Sequence, residues 1–280
     1  MAVKPRLRVW MVLLMLCGVY LLALGAVTIC QRRLIYHPAP FSPALAEQMG
    51  AQARLERWTN SAGARLGWRR LCPKQPAGGR VLIVYGNASF AIGCADYADA
   101  LQSVAPLDVF ILEYPGYGDR PGAPSETSFF RAADQTLPLL GTNLPVYLIG
   151  ESLGSGVASY LAGTYPGRFA GALLLSPYNR LSTVAQNAMP IFPVRLLLLD
   201  RFPSEDYLRH YHGPVGFVVD GQDTVVPAKF GIRLLDAYTG PKRLWYYPLS
   251  GHMTIQEPPA TFWRAVVDFW RANPLPAIVP

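Results

Sequence analysis

Gly150-Glu151-Ser152-Leu153-Gly154 is the stretch that decides how this chain reads. The apolar run Pro145-Val146-Tyr147-Leu148-Ile149 precedes it, and Ser155-Gly156-Val157-Ala158-Ser159-Tyr160-Leu161-Ala162 follows. The first reads as a buried strand and the second as a helix of small residues. A strand-to-helix turn this tight needs glycine on both sides of the serine, where side chains would collide with the neighbouring strand and helix. The serine hydroxyl then stands above the sheet edge, with the positive end of the helix beneath it. In a chain with 25 Gly, an ordinary turn serine gives the same string, so the pattern on either side has to discriminate.

That pattern is an alternation. Upstream, residues 54–58 and 64–71 flank Asn60-Ser61-Ala62-Gly63 and read as a β-hairpin. Residues 80–85 form a continuous aliphatic run suited to a strand buried on both faces of a parallel sheet. A helix over 91–104 follows, then a strand over 108–114, and a helix over 125–140 opened by Ser125. Downstream, strands are expected at 171–176, 215–220 and 244–247, and a closing helix at 259–272. Strands alternating with helices predict one mostly parallel, doubly wound α/β sheet. Residues 177–213 break the rhythm, carrying Ile191 and Phe192 between prolines and then Leu196-Leu197-Leu198-Leu199. This insertion is expected to cap the sheet's C-terminal edge, with Ile191, Phe192 and Leu196 walling an acyl pocket; packing on the core is the plainer alternative.

Residues 9–30 contain no charged side chain. As a helix they would span about 33 Å, enough for a hydrocarbon core. A transmembrane anchor is therefore expected over 9–30, after a basic segment over 1–8. Ala23-Leu24-Gly25 also fits a signal-peptide cleavage site, but the apolar stretch exceeds a typical h-region. Lys4, Arg6 and Arg8 outnumber Arg32 and Arg33, placing the N-terminus in the cytoplasm and the remainder on the periplasmic or extracellular side. Residues 31–52, with Pro38, Pro40 and Pro43, read as an extended connecting segment to a domain over 53–275. The net charge of +7 is dispersed, and no nucleic-acid module is recognisable. Four Cys without CxxC spacing give neither a zinc site nor a disulfide framework, although Cys72 and Cys94 lie outside the apolar segment and could pair in an oxidising compartment.

Serine is a weak nucleophile at neutral pH and needs a base oriented by an acid. On a sheet of this kind the order is Ser, then Asp or Glu, then His, each after a strand's C-terminal end. Asp223, in Gly221-Gln222-Asp223-Thr224-Val225-Val226-Pro227, fits the acid; Asp220 competes but should still be on the strand. His252, in Ser250-Gly251-His252, fits the base. His37 precedes the sheet, and His210 and His212 precede Asp223, so all three violate the order. Two backbone N–H groups should stabilise an oxyanion: that of Leu153, and that of Asn87 or, second, Ala88.

With those residues placed, the chain resembles the α/β-hydrolase superfamily, in particular its membrane-anchored serine hydrolases of the lysophospholipase and depalmitoylase kind. The resemblance rests on Leu34-Ile35-Tyr36-His37-Pro38, Gly86-Asn87-Ala88, Glu113-Tyr114-Pro115-Gly116-Tyr117-Gly118, Pro124-Ser125-Glu126, the serine turn, Ser176-Pro177-Tyr178, the Asp223 loop and Ser250-Gly251-His252. It implies ester or thioester cleavage of a small-molecule or lipid-like acyl substrate through an acyl-enzyme, without metal or organic cofactor. A peptidase, an acyltransferase or a non-catalytic binding protein would use the same fold. The chain departs from the family with Tyr85 where His is usual before Gly-Asn, with Asp220 where His is frequent, and with Glu113-Tyr114-Pro115 where Asp-Tyr-Arg is usual. The first departure leaves the shape of the oxyanion loop open.

Overall fold

The aliphatic runs of the sequence assemble into a single sheet in the computed structural model, which describes residues 5–74, 76–252 and 259–275. Helices α1 (Pro5–Ile35) and α2 (Pro43–Gln52) lead into the hairpin β1 (Glu56–Thr59) and β2 (Arg65–Arg70). The alternation follows as β3 (Gly79–Val84), α3 (Ala95–Val104), β4 (Leu107–Leu112), α4 (Glu126–Asp134), β5 (Val146–Glu151), α5 (Leu153–Thr164) and β6 (Gly171–Leu175). The insertion carries α6 (Leu181–Ala188), α7 (Val194–Leu197) and α8 (Ser204–Leu208). The chain then runs through β7 (Val215–Asp220), α9 (Ala228–Ala237), β8 (Lys242–Tyr247) and α10 (Ala260–Ala272).

Among the described residues, eight strands lie in the order β1-β2-β4-β3-β5-β6-β7-β8. The β1–β2 and β2–β4 pairings are antiparallel; the pairings from β4 through β8 are parallel. Every residue of β4, β6 and β7 is buried, as expected of strands covered by helices on both faces. Trp270 of α10 stacks on Tyr147 of β5, and Trp263 packs edge-on to Tyr97 of α3. The opposite layer centres on α5, which packs against α4 and α8. This is the α/β-hydrolase architecture, with one N-terminal apolar helix long enough to cross a membrane.

Two stretches differ from the sequence reading. Residues 31–35 extend α1 rather than leaving it, and residues 43–52 form α2. Ser42 caps α2, its Oγ accepting from Leu45 N at 3.2 Å, and Pro43 occupies the first turn. The prolines thus open a helix as well as keeping chain extended, because a proline in a first turn sacrifices no intrahelical bond. The remaining link is pinned by Phe41 N donating to Gly118 O at 3.0 Å. Of the basic flank that set the expected orientation, Lys4 lies outside the described residues.

Candidate active site

Ser152 stands between the end of β5 and the first turn of α5, with φ 48° and ψ −115°. A non-glycine residue holds such a conformation only where its surroundings impose it. The surroundings here are unusually close. A Cβ on Gly154 would lie 2.1 Å from Val84 O, and one on Gly150 would lie 2.6 Å from Ala158 Cβ. The helix therefore approaches β3 and β5 more closely than any side chain permits. Ser152 N donates to Leu175 O at 2.8 Å, continuing the β6 ladder through the turn. Ser152 is only 8% exposed, and what reaches it is a cavity rather than open solvent.

Asp223 follows β7 by a tight turn. Its Oδ1 accepts from Val225 N at 2.8 Å and from Val226 N at 2.7 Å. Its Oδ2 lies 2.6 Å from His252 Nδ1. The carboxylate is thus held by two backbone donors and presents its remaining oxygen to the imidazole, a geometry that places the ring proton on Nδ1 and leaves Nε2 as acceptor. Asp220 ends β7 and is buried; its Oδ2 accepts from Ser176 Oγ at 2.7 Å. The competing aspartate therefore braces the strand ends.

Asn87 and Leu153 line the same cavity as Ser152. Leu153 opens α5, so its N–H belongs to the first turn, which has no intrahelical acceptor. The side chain of Asn87 is committed to neighbours: Nδ2 donates to Ile35 O, and Oδ1 accepts from His37 N at 2.9 Å and Tyr117 Oη at 2.7 Å. Ala88, with φ 54°, makes the turn. Beneath it, the Tyr85 hydroxyl donates to Glu113 Oε1 in a fully buried contact, and the same carboxyl accepts from Ala91 N. Two departures from the family pattern are therefore partners: Tyr85 reaches down to Glu113. Burial pushes the Glu113 carboxyl up to about 7, against the pull of Tyr85 and Ala91. Burial likewise raises Glu151, beside the serine, while Tyr97, the field of His252 and the Gly86 backbone oppose it.

The cavity has a volume of about 300 Å³. Phe192 lines it. Ile191 and Leu196 do not: they are 71% and 78% exposed and face away. Leu197, the last residue of α7, and Leu198, which follows it, line the cavity instead, between the exposed Leu196 and Leu199. The opposite wall was not legible as such, for Leu24, Val27, Thr28, Gln31, Leu34 and Ile35 all belong to α1. The signal for it was the recurrence at three- and four-residue steps from Leu24 to Ile35, which includes the polar Gln31. Cys72 and Cys94 are both buried and not bridged.

No family model matches the chain. An uncharacterized protein of Mycobacterium tuberculosis (strain CDC 1551 / Oshkosh) is 36% identical over 243 residues, covering 84% of this chain and 85% of that protein. The Pyrococcus furiosus esterase Pf2001 superposes with a TM-score of 0.61 at 14% identity, over 85% of this chain and 97% of that structure. The chain has the α/β-hydrolase fold. Lysophosphatidylserine lipase ABHD12 of Danio rerio is 30% identical over 190 residues, covering 59% of this chain and 48% of that protein.

Proposed function

We propose that this α/β-hydrolase is a membrane-anchored serine hydrolase that cleaves carboxylic ester or thioester bonds of acyl substrates. The observation that carries the reading is the 2.6 Å contact between Asp223 Oδ2 and His252 Nδ1, with Ser152 on a strained turn at an apolar cavity. Ser152 Oγ attacks the acyl carbonyl carbon and gives its proton to His252 Nε2. The Leu153 and Asn87 N–H groups receive the developing oxyanion. His252 passes the proton to the leaving alcohol or thiol as the carbon–oxygen or carbon–sulfur bond breaks. Water then attacks the acyl-enzyme, deprotonated by His252, and regenerates Ser152 with release of the acid. Asp223 stays ionised throughout and stabilises the imidazolium.

Apolar cavity walls favour an acyl chain over a peptide, and a relative named as a lysophosphatidylserine lipase supports the same direction. Residues 9–30 form the anchor and 53–275 the hydrolase domain, with the N-terminus cytoplasmic by the positive-inside bias. The test is labelling of the full chain, in detergent, by a fluorophosphonate. Wild type should form an adduct on Ser152 and Ser152→Ala none. Equal labelling of the Ser152→Ala protein would refute the mechanism.

A further inference from the structure

The cavity beside Ser152 is a space between the anchor helix and the cap. Leu24, Val27, Thr28, Gln31, Leu34 and Ile35 of α1 form one wall. Their spacing gathers them onto a single helix face. Leu22 and Ile29, on other faces, are 77% and 84% exposed. Val184, Ala188, Met189 and Phe192 of the cap form the facing wall.

The helix is fastened to the cap rather than merely lying near it. Gln31 is buried, and its Oε1 accepts from Leu199 N at 2.7 Å. Arg32 Nε and Nη2 donate to Asp200 Oδ2 and Oδ1 at 2.9 and 3.3 Å, and the Asp200 side chain is 4% exposed. Two turns or more toward the N-terminus, Tyr20 stacks on Phe192 at 5.7 Å between centroids, and its hydroxyl donates to Ile191 O at 3.0 Å.

These contacts fix a depth. From Tyr20 to Ile35 the helix advances about 22 Å. The apolar residues beyond them, 9–19, reach only about 16 Å at the helical rise, roughly half a hydrocarbon core. A helix that crosses the bilayer therefore carries the tip of the cap in with it. The cap's outer surface suits this: Ile191, Leu196 and Leu199 are 71%, 78% and 65% exposed. Arg195 on the same surface has a side chain long enough to reach toward the headgroups.

We propose that the inner face of α1 is a wall of the substrate cavity, and that a single-chain acyl amphiphile passes from the bilayer between α1 and the cap to reach Ser152. This rests on the serine-hydrolase reading above and adds a lipid source and a specificity-determining face, with Leu24 and Val27 contacting the acyl tail.

The full chain is reconstituted in phosphatidylcholine nanodiscs and treated with an alkyl fluorophosphonate carrying a diazirine at the chain end. Photolysis and peptide mass spectrometry then locate both ends of the probe. The expected result is an adduct on Ser152 and cross-links to residues 24–35 as well as to the cap. An adduct on Ser152 whose tail marks no residue of α1 overturns the inference while leaving the hydrolase reading intact. No adduct on Ser152 overturns both. A second measurement uses the octanoyl-to-acetyl ratio of kcat/KM. Val27→Trp should lower it about tenfold, the effect of displacing about two methylenes, and Val27→Ala should raise it, whereas Leu22→Trp on the outer face should leave it within about twofold. Equal ratios in Val27→Trp, Val27→Ala and wild type overturn the inference.

Discussion

Replacing Glu113 by Gln should remove a pH dependence of stability that wild type carries between about pH 4.5 and pH 7. Glu113 is 1% exposed and its carboxyl is raised from 4.5 to about 7 by burial. In the unfolded chain it loses its proton near the ordinary value. Below pH 4.5 both states are protonated and the neutral carboxyl costs nothing extra. Between 4.5 and 7 the native state holds a proton that the unfolded state has released, so stability falls as pH rises. About 2.5 pH units at about 1.4 kcal/mol per unit gives roughly 3 kcal/mol. A glutamine at 113 keeps an acceptor for Tyr85 and Ala91 but does not titrate. The assay is urea unfolding of both proteins in one detergent, followed by tryptophan fluorescence at steps from pH 4.5 to 8. The wild-type stability minus the Glu113→Gln stability should fall by roughly 3 kcal/mol across that range. Taking the difference cancels Glu126 and Glu151, which burial also raises. A difference that stays constant, or that grows with pH, would mean that Tyr85 and Ala91 hold the carboxylate ionised and that burial is the lesser effect.

Asp223→Asn should reduce kcat on an acyl ester by about 10⁴, the scale for losing the group that orients a catalytic histidine; Asp220→Asn, which keeps an oxygen to accept from Ser176 Oγ, should cost far less, and the reverse ranking would reassign the acid. Gly154→Ala places a Cβ 2.1 Å from Val84 O and should destabilise the fold by at least about 2 kcal/mol, read as a lowered Tm. Arg32→Ala leaves the buried Asp200 carboxylate without its bidentate partner and should lower the Tm, whereas adding Asp200→Asn to it should recover part of the loss; no recovery would show that the contact contributes packing rather than charge.

Much of the sheet was readable because its strands are continuous β-branched and aliphatic runs, and burial on both faces demands that composition. The serine turn was readable for a similar reason: glycine at 150 and 154 is required by approach distances that exclude a Cβ. Asp223 could be preferred over Asp220 because the expected strand ends where β7 ends. The place of α1 in the cavity wall was harder to see. The helix's mean hydropathy of 2.5 leaves little polarity difference between its faces; Tyr20, Gln31 and Arg32 are polar side chains that mark where contacts with the cap form. Ile191 and Leu196 were expected in the cavity wall because exposed and cavity-lining apolar side chains carry the same sequence signal. Ser42 and Pro43 are a helix-start signal, but their place in a proline-rich stretch made it read as extended chain.

The loop carrying Asn87 ties these features together. From below, Tyr85 and Ala91 grip one carboxyl of Glu113, so both ends of the turn are fastened to a single buried group. From above, Asn87 binds Ile35 O at the end of α1 and the backbone and ring of His37 just beyond it. The departures at 85 and 113 meet in one buried contact. The same loop is thus fixed to the core on one side and to the anchor on the other. Ile35 and His37 join the end of α1 to Asn87, whose backbone is the proposed oxyanion donor. On the proposed reading, the membrane helix, the wall beside the acyl chain and the support of the oxyanion loop are successive parts of one continuous segment.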